Sequence, residues 1–348
     1  MRYPKFLPDE GTIGFVAPAF GCATEPYKSA FDNALKKFES MGYKCILGPN
    51  CYEDRGIGIS NTPDLCGLEI NGAYTSEESD VIISCGGGEM MCEVVPYINF
   101  ENIRNVEPKW FMGFSDNTNF VFLSATLADT AAIYGPCAAT FGMEVWHQAV
   151  QDAFDLLKGK ISAVHNYDKW ELEGIKDEEH PLAGYNCTEK MVPVVFDTKE
   201  AEFSGRLLGG CMDCLINLTG TKYDKVSEFC DRYKDDGIIW FLEACELNVM
   251  SIRRAIWHMK NAGWFKYVKG FLIGRPMCIG EEMFGIDHYR AVTDLLKEYQ
   301  VPIIMDLDIG HMPPMMPLVC GAKANVMYKE DKVQINSNIN ITPSVFSI

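Results

Sequence analysis

The sequence contains no long uninterrupted run of apolar residues and no excess of positive charge. Near its start, Pro4 and Pro8 are followed by two acidic residues, so we expect neither a secretory signal peptide nor a transmembrane helix. The 31 Lys and Arg residues are outnumbered by 48 Asp and Glu residues, which makes the net charge −17. Because so negative a surface repels phosphate backbones and anionic lipids, we expect no nucleic-acid partner and no membrane partner.

The sequence also lacks the regularly spaced cysteine pairs of disulfide-rich and zinc-binding proteins. Its 14 cysteines are scattered, and Cys211 and Cys214 form the single close pair with two residues between them. A zinc site would need a second pair or histidines at ligand spacing, and neither lies nearby in the sequence. The pair lies in an apolar run, which favours structural burial. We therefore expect reduced thiols and a cytoplasmic location.

The chain of 348 residues is long enough for two domains of roughly 100–200 residues each. Short apolar segments that predict strands alternate with periodic segments that predict helices, which indicates α/β architecture with a parallel sheet. The polar segment 165–190 has little periodicity. We predict an N-terminal α/β domain over residues 1–160, a linker or excursion over residues 161–200, and a C-terminal α/β domain over residues 201–348.

The individual elements follow from apolar runs, helical spacing and glycine stop signals. Strands are predicted at residues 12–18, 43–48, 81–85, 110–114, 237–243, 268–274 and 301–305. Helices are predicted at residues 27–41, 117–127, 211–218, 249–262 and 288–299.

Ser115 directly follows a predicted buried strand and precedes a predicted helix. This context is typical of a nucleophile elbow, in which a sharp turn exposes the serine hydroxyl beside the positive end of a helix. Asn117 occupies the position at which the Gly-x-Ser-x-Gly pattern has its second glycine. From these residues alone, Ser115 is either a nucleophile or simply the N-cap of the helix.

Three consecutive glycines, Gly86, Gly87 and Gly88, follow another predicted strand, on the edge of the sheet that carries Ser115. Glycines let backbone N–H groups approach a ligand closely, as in an oxyanion hole or a phosphate cradle. The run lacks the spacing and the lysine of a P-loop. A tight turn without a ligand is the alternative interpretation.

Two further residues have a context suited to acid–base chemistry. Glu243 ends an apolar predicted strand, and His311 follows a glycine in a loop after another strand and shortly precedes two prolines. A carboxylate can orient an imidazole that takes a proton from a serine hydroxyl. Each residue also fits a structural role, Glu243 as a capping or surface acid. Because all three groups follow strands, we predict that they converge in one pocket.

These motifs, in their order along the chain, resemble those of the LD-carboxypeptidases, a family that includes the microcin-immunity peptidases. The matching segments are Gly86-Gly87, Pro96-Tyr97, Gly113-Phe114-Ser115-Asp116, Gly135-Pro136, Gly209-Gly210, Phe241-Leu242-Glu243, Ile252-Arg253-Arg254 and Gly310-His311. The resemblance covers nearly the whole chain. It implies an N-terminal Rossmann-like domain with a parallel sheet, a smaller C-terminal α/β domain, and an active site between them.

The resemblance also implies roles for individual residues. Ser115 would be the nucleophile, His311 the base and Glu243 the acid that orients it. The backbone N–H groups of Gly87 and Asp116 would form the oxyanion hole. No metal and no other cofactor is implied, and the usual assembly is a homodimer.

Several positions depart from the family pattern. Asn117-Thr118-Asn119 replaces Ile-Thr-Ala, Cys211 replaces Asn, Ala244 stands where many members have Asp, and Arg253 replaces another Asp. The three triad positions are retained, so we expect hydrolysis of an amide. The changes near Gly210 and Glu243 leave the substrate open.

The expected reaction is the release of terminal D-alanine from a muropeptide tetrapeptide by cleavage of the L,D-bond. Within the family, the alternative substrate is the amide of a peptidyl or aminoacyl nucleotide. Trp170 or Tyr185 would then stack on the base, and a packing role is the equal alternative for each of them. We also expect Gly86 and Gly210 to contact the substrate. An ordinary α/β-hydrolase and a two-lobed small-ligand binding protein are the alternatives from other classes.

Overall fold

Two large β-sheets form the framework of the protein, seen in a computed structural model that describes residues 1–196 and 198–339. Five strands of the first sheet are parallel, and the sixth pairs antiparallel at one edge. In spatial order the six strands are β16 (Leu318–Cys320), β5 (Ala132–Tyr134), β4 (Trp110–Gly113), β3 (Val81–Ser84), β1 (Thr12–Val16) and β2 (Lys44–Leu47).

The second sheet has a parallel centre and antiparallel edges. Its eight strands, in spatial order, are β6 (Ala163–His165), β18 (Lys332–Ser337), β17 (Lys323–Lys329), β10 (Ala201–Cys211), β11 (Ile238–Glu243), β12 (Val268–Gly274), β15 (Ile303–Leu307) and β9 (Val194–Val195). Two small ribbons pair β7 (Lys169–Trp170) with β8 (Glu189–Lys190) and β13 (Glu282–Met283) with β14 (Ile286–Asp287).

Ten α-helices cover the sheets in the described part of the chain. They are α1 (Tyr27–Ser40), α2 (Pro63–Thr75), α3 (Met91–Val94), α4 (Phe100–Asn105), α5 (Thr118–Thr126), α6 (Gln148–Leu157), α7 (Met212–Leu218), α8 (Val226–Arg232), α9 (Val249–Asn261) and α10 (His288–Leu296). None of the helices in residues 1–196 and 198–339 combines the length and apolar character needed to cross a bilayer.

Apart from the exposed edge strand β2, the strands of the first sheet are buried on both faces, as their continuous apolar sequence predicts. On β3, Val81 and Ile83 belong to one hydrophobic core, whereas Ile82 belongs to the other. Helix α1 covers the first of these cores with Phe31 and Phe38. The predicted α/β fold with a parallel sheet is therefore confirmed.

Helix α5 joins the two sheets, and all nine of its residues are buried. Its Phe122 stacks on Trp264 of the second half with ring centroids 5.3 Å apart, and Trp264 stacks in turn on Trp240 of β11 at 5.6 Å. The Thr118 hydroxyl at the start of α5 accepts a hydrogen bond from the Cys211 N–H at 3.0 Å. The carboxyl ends of β4, β10 and β11 are thereby held together.

The predicted domain limits of 1–160, 161–200 and 201–348 do not coincide with sheet membership. Strand β16 lies in the C-terminal segment but pairs with β5 of the first sheet, and β6 and β9 from the predicted excursion pair in the second sheet. Residue 197 and residues 340–348 of these segments lie outside the described residues. The domain limits therefore stay a prediction.

Candidate active site

Ser115 lies at the turn between β4 and α5, in the 3₁₀ segment Ser115–Asn117. Its φ angle is +62°, a left-handed conformation that residues other than glycine rarely adopt and that often marks a functional turn. The Asn117 amide supports this turn, because its Nδ2 donates to the Phe114 carbonyl at 3.1 Å and to the Gly86 carbonyl at 2.7 Å. The strand–turn–helix geometry of a nucleophile elbow is present.

The three side chains predicted to converge form one hydrogen-bonded chain. His311 Nε2 lies 2.9 Å from Ser115 Oγ, and His311 Nδ1 lies 2.9 Å from Glu243 Oε2. The Glu243 side chain is fully buried, whereas 15% of the His311 side chain is exposed. The imidazole therefore bridges a hydroxyl and a buried carboxylate, and one edge of the group faces solvent.

Gly310 allows the histidine to come this close to the carboxylate. Its φ angle is +99°, and a side-chain carbon at this position would collide with the Glu243 carboxylate. Any other residue would therefore face both backbone strain and a steric clash.

A buried ion pair holds the loop that carries His311. Arg275 pairs with Asp308, and it also donates to the Asp306 carbonyl at 2.8 Å and to the Met312 carbonyl at 3.3 Å. Asp308 accepts the Tyr167 N–H at 2.8 Å. Because bonds from one guanidinium reach residues on both sides of His311, the pair restricts where the imidazole can lie.

Tyr134 completes the environment of the buried carboxylate. Its hydroxyl donates to Glu243 Oε1 at 2.6 Å and accepts the Ser115 N–H at 3.3 Å. The phenol is buried at the end of β5. Each oxygen of Glu243 thus has its own donor, which a buried charge requires.

The buried pair of Glu243 and His311 favours its ionised form. Burial alone would lower the pKa of His311, but the Glu243 carboxylate and the Cys245 thiol raise this pKa well above its usual value. Burial would raise the pKa of Glu243, but the imidazolium and the hydrogen bonds from His311 and Tyr134 hold it below its usual value. The carboxylate is therefore charged at neutral pH.

The backbone groups predicted as an oxyanion hole lie beside the serine hydroxyl. A side-chain carbon on Gly87 would come within 3.0 Å of Ser115 Oγ, and the Gly87 N–H has no acceptor among the described residues. Asp116 is in the first turn after the elbow, where N–H groups have no partner within the turn. The oxyanion-hole role of both residues stays a prediction.

Two cavities open onto Ser115. The first, which we call the aromatic cavity, has a volume of about 400 Å³, and its lining includes Phe20, Tyr27, Gly87, Phe114, Lys176 and His311. The second, which we call the acidic cavity, has a volume of about 420 Å³, and its lining includes Glu89, Asp116, Asn119, Asp213 and Glu246. A smaller space of about 230 Å³ adjoins His311 and Lys176.

The predicted substrate contacts fall into two groups. Gly86 lines the aromatic cavity, and Tyr185 lines the smaller space next to His311. Trp170 lies elsewhere, with its ring 5.0 Å from the Arg275 guanidinium carbon, and it lines none of these three spaces. Gly210 lies against Thr118 of α5, where a side-chain carbon would meet the threonine at 2.6 Å. The role of all four residues as substrate contacts stays a prediction.

Sequence reasoning missed Tyr134, Arg275 and Asp308. Tyr134 is the last residue of a short buried strand and directly precedes the Gly135-Pro136 segment, so its position at a strand end was the available signal. Arg275 also follows a strand directly. No sequence pattern indicated that Arg275 and Asp308 would pair.

The same place in the fold contains a group of possible metal ligands within the described residues. Ligand atoms of Cys211, Glu243 and His311 lie within 4.8 Å of one another. Both imidazole nitrogens and both Glu243 oxygens already make hydrogen bonds, however. The donor set thus fits a serine–histidine–carboxylate triad better than a metal centre.

Comparisons with known proteins match this architecture. The model described as LD-carboxypeptidase N-terminal domain matches residues 13–135, and the model described as LD-carboxypeptidase C-terminal domain matches residues 204–326. Microcin C7 self-immunity protein MccF of Escherichia coli is 24% identical over 97% of this chain and 94% of its own length.

Two further similarities cover most of the chain. A Bacillus subtilis protein named "Probable murein peptide carboxypeptidase" is 21% identical over 97% of this chain and 95% of its own length. The solved structure of MccF in complex with aspartyl sulfamoyl adenosine superposes with a TM-score of 0.79 at 20% identity, covering 96% of this chain and 98% of that one.

We predict that His311 titrates above the usual histidine pKa of about 6.5 in an NMR titration. The Glu243 charge favours the imidazolium, so Glu243→Gln should move the titration to lower pH. In the unaltered protein, the ion pair stabilises the folded state fully at pH values below the pKa that His311 has in the unfolded state. This stabilisation is lost as the pH rises through the raised pKa that His311 has in the folded state. A His311 pKa below 6.5 in the unaltered protein, or one unmoved by Glu243→Gln, would contradict this electrostatic description.

We predict that Tyr134→Phe lowers the free energy of unfolding by about 1–3 kcal/mol, because it leaves Glu243 Oε1 buried without a donor. Urea denaturation measures the effect. Tyr52→Phe is the matched control, since it removes a hydroxyl that bonds Asp32 at 2.6 Å on the exposed surface. Equal small losses in the two variants would show that Glu243 does not need the phenol.

Proposed function

The chain belongs to the LD-carboxypeptidase family, and we propose that it is a serine hydrolase that cleaves an amide bond with Ser115 as nucleophile, His311 as general base and Glu243 as the orienting acid. The observation that supports the proposal most strongly is the continuous series of hydrogen bonds from Ser115 Oγ through the His311 imidazole to Glu243, each with a donor–acceptor distance of 2.9 Å. This hydrogen-bonded arrangement favours the interpretation of the protein as an enzyme over its interpretation as a two-lobed binding protein.

In the proposed reaction, neutral His311 takes the proton of Ser115 as the hydroxyl oxygen attacks the amide carbonyl. The N–H groups of Gly87 and Asp116 stabilise the oxyanion, and each such donor lowers the barrier by about 3 kcal/mol. The imidazolium then gives its proton to the leaving amine. Water, activated by the same histidine, hydrolyses the acyl-enzyme and restores Ser115.

Glu243 contributes by fixing the imidazole rather than by taking a proton. Its Oε2 accepts the His311 Nδ1–H, which leaves Nε2 free to receive the serine proton. Tyr134 occupies Oε1 and so prevents the carboxylate from rotating away. The Glu243 carboxylate raises the pKa of His311, so the proposed base becomes active only at a higher pH than an ordinary histidine would.

The proposed substrate is a muropeptide tetrapeptide that loses its terminal D-alanine. A carboxypeptidase needs a positive group for the terminal carboxylate, and Lys176 lines the aromatic cavity beside Ser115. Lys176 makes no ion pair with a described residue, and burial lowers its pKa. A carboxylate ligand would supply the missing partner. Similarity to the Bacillus subtilis relative supports the same class.

The second candidate is hydrolysis of a peptidyl or aminoacyl nucleotide amide. Phe20, Tyr27 and Phe114 line the aromatic cavity, and flat aromatic surfaces are suited to stacking on a base. Similarity to MccF, whose solved structure holds aspartyl sulfamoyl adenosine, supports this alternative. The homodimer and the cytoplasmic location stay predictions from the sequence.

We predict that the purified protein hydrolyses either an L-Ala-D-Glu-L-Lys-D-Ala tetrapeptide or an aminoacyl sulfamoyl adenosine, and that Ser115→Ala reduces kcat by about 10⁴-fold or more. Chromatographic detection of D-alanine or of sulfamoyl adenosine separates the two substrates. A circular dichroism spectrum and thermal melt confirm that the variant is folded. A folded Ser115→Ala variant with full turnover would refute the nucleophile assignment.

We predict that Lys176→Met removes the preference for a terminal carboxylate. The unaltered enzyme should cleave the tetrapeptide about tenfold more efficiently than its D-alaninamide analogue, a ratio that corresponds to about 1.4 kcal/mol. In Lys176→Met the ratio of the two kcat/KM values should approach one. The exposed Lys234→Met variant is the control for net charge. An unchanged ratio in Lys176→Met would place carboxylate recognition elsewhere.

A further inference from the structure

Cys211 stands beside the triad acid, at a position where the LD-carboxypeptidase pattern has asparagine. It ends β10, and Glu243 ends the neighbouring parallel strand β11. The two residues are register partners, so their side chains leave the sheet on the same face and at the same edge. The sheet itself therefore places a thiol next to the buried carboxylate.

His311 brings a third type of metal ligand to the same place. Ligand atoms of Cys211, Glu243 and His311 all lie within 4.8 Å of one another. Tetrahedral zinc sites, with bonds of about 2.0–2.3 Å, hold neighbouring ligand atoms roughly 3.3–3.8 Å apart, so side-chain shifts of about 1 Å would complete such a site. Thiolate, imidazole and carboxylate suit Zn²⁺, whereas Mg²⁺ and Ca²⁺ need oxygen ligands.

The acidic cavity leads from solvent to this group. It is lined by Cys211 and Ser115, and its rim includes the exposed residues Asn217 and Glu246. No Lys, Arg or His of the described chain lines it, and its four carboxylate residues are Glu89, Asp116, Asp213 and Glu246. None of the four takes part in an ion pair within residues 1–196 and 198–339. The resulting negative potential concentrates small cations beside Cys211.

The same atoms already serve the triad when no metal is bound. His311 Nδ1 contacts Glu243 Oε2 at 2.9 Å, and the Cys211 thiol donates to Asp213 Oδ2 at 3.3 Å. A cation at this place therefore competes with the hydrogen bonds that orient the imidazole. Such a cation is an inhibitor of the triad and not a resident cofactor.

We propose that the protein has an inhibitory zinc site, in which Zn²⁺ binds Cys211 Sγ, one oxygen of Glu243 and His311 Nδ1, with water from the acidic cavity as the fourth ligand. The Cys211 S–H bond breaks as the zinc–sulfur bond forms, and the proton passes to solvent. On the neutral imidazole, a metal at Nδ1 leaves the ring proton on Nε2. Nε2 can then no longer accept the proton of Ser115, so hydrolysis stops. The inhibition rests on the proposed function, whereas metal binding does not.

The binding test uses protein stripped of metal by a chelator and titrated with Zn²⁺ alone. Calorimetry should show one site per chain, weakened at least about tenfold in Cys211→Ser and in Cys211→Asn, which restores the family's residue. Cys92→Ser is the matched control and should keep the affinity, because its thiol lines the same cavity but is not one of the three ligands. With Co²⁺ as the probe, a thiolate charge-transfer band should appear in the unaltered protein and in Cys92→Ser and be absent from both Cys211 variants. Circular dichroism confirms that each variant is folded.

The inhibition test follows substrate hydrolysis and fluorophosphonate labelling of Ser115 as Zn²⁺ is added. In the unaltered protein both rates should fall at least about tenfold at saturating Zn²⁺ and recover when the chelator is added. In Cys211→Asn, compared with its own rate without metal, the same Zn²⁺ concentration should inhibit much less.

The outcomes separate the zinc site from the proposed function. Equal Zn²⁺ affinity in the unaltered protein and both Cys211 variants, an equal loss in Cys92→Ser, or no thiolate band would overturn the site. Zn²⁺ bound through Cys211 without slower labelling of Ser115 would overturn the inhibition. If the metal-free protein neither cleaves an amide nor labels at Ser115, the proposed function fails and with it the inhibition, while calorimetry and the Co²⁺ band still decide whether the metal site exists.

Discussion

A single buried carboxylate, that of Glu243, governs the arrangement of the active site. A charge with no exposure to water is strongly destabilising unless hydrogen bonds and an opposite charge replace its hydration. Here the imidazole of His311 and the phenol of Tyr134 fill that role, one at each oxygen. Two other features are consequences of this requirement: Gly310 lacks a side chain because the carboxylate occupies that space, and the Tyr134 hydroxyl also reaches the backbone of Ser115.

The positions of the three triad residues depend on contacts between the two halves of the chain. Ser115 follows β4 of the first sheet, whereas Glu243 ends β11 and His311 follows β15 of the second. The fully buried helix α5 packs between these sheets, and the ion pair of Arg275 and Asp308 holds the histidine loop. The hydrogen-bonded geometry of 2.9 Å per link thus depends on hydrophobic packing and on a buried ion pair that touch none of the three side chains.

Much of this arrangement was predictable from the sequence, because strand ends are visible as apolar runs that stop at glycine or at a polar residue. The strands associated with Ser115, Glu243 and His311 were predicted from such runs. Glu243 and His311 meet because the carboxyl ends of β11 and β15 lie at the same edge of one sheet, whereas Ser115 belongs to the other sheet and reaches them through packing that the sequence does not show. The antiparallel strands β17 and β18 and the return of β16 to the first sheet were not predicted, since strand partners are set by long-range contacts. Trp170 was expected at the substrate, but an aromatic residue in a polar segment does not reveal that it packs on Arg275. Tyr134 was overlooked because its strand has three residues.

The most direct test of the central claim is to map the site modified by a fluorophosphonate probe, using mass spectrometry of the intact protein and its peptides. The account predicts one phosphonyl group, attached to Ser115 Oγ, with labelling at least about 10²-fold slower in His311→Gln because the hydroxyl then lacks its base. Labelling at another serine, at Cys211 or at Cys245, or labelling of Ser115 at the same rate without the imidazole, would contradict the proposed triad.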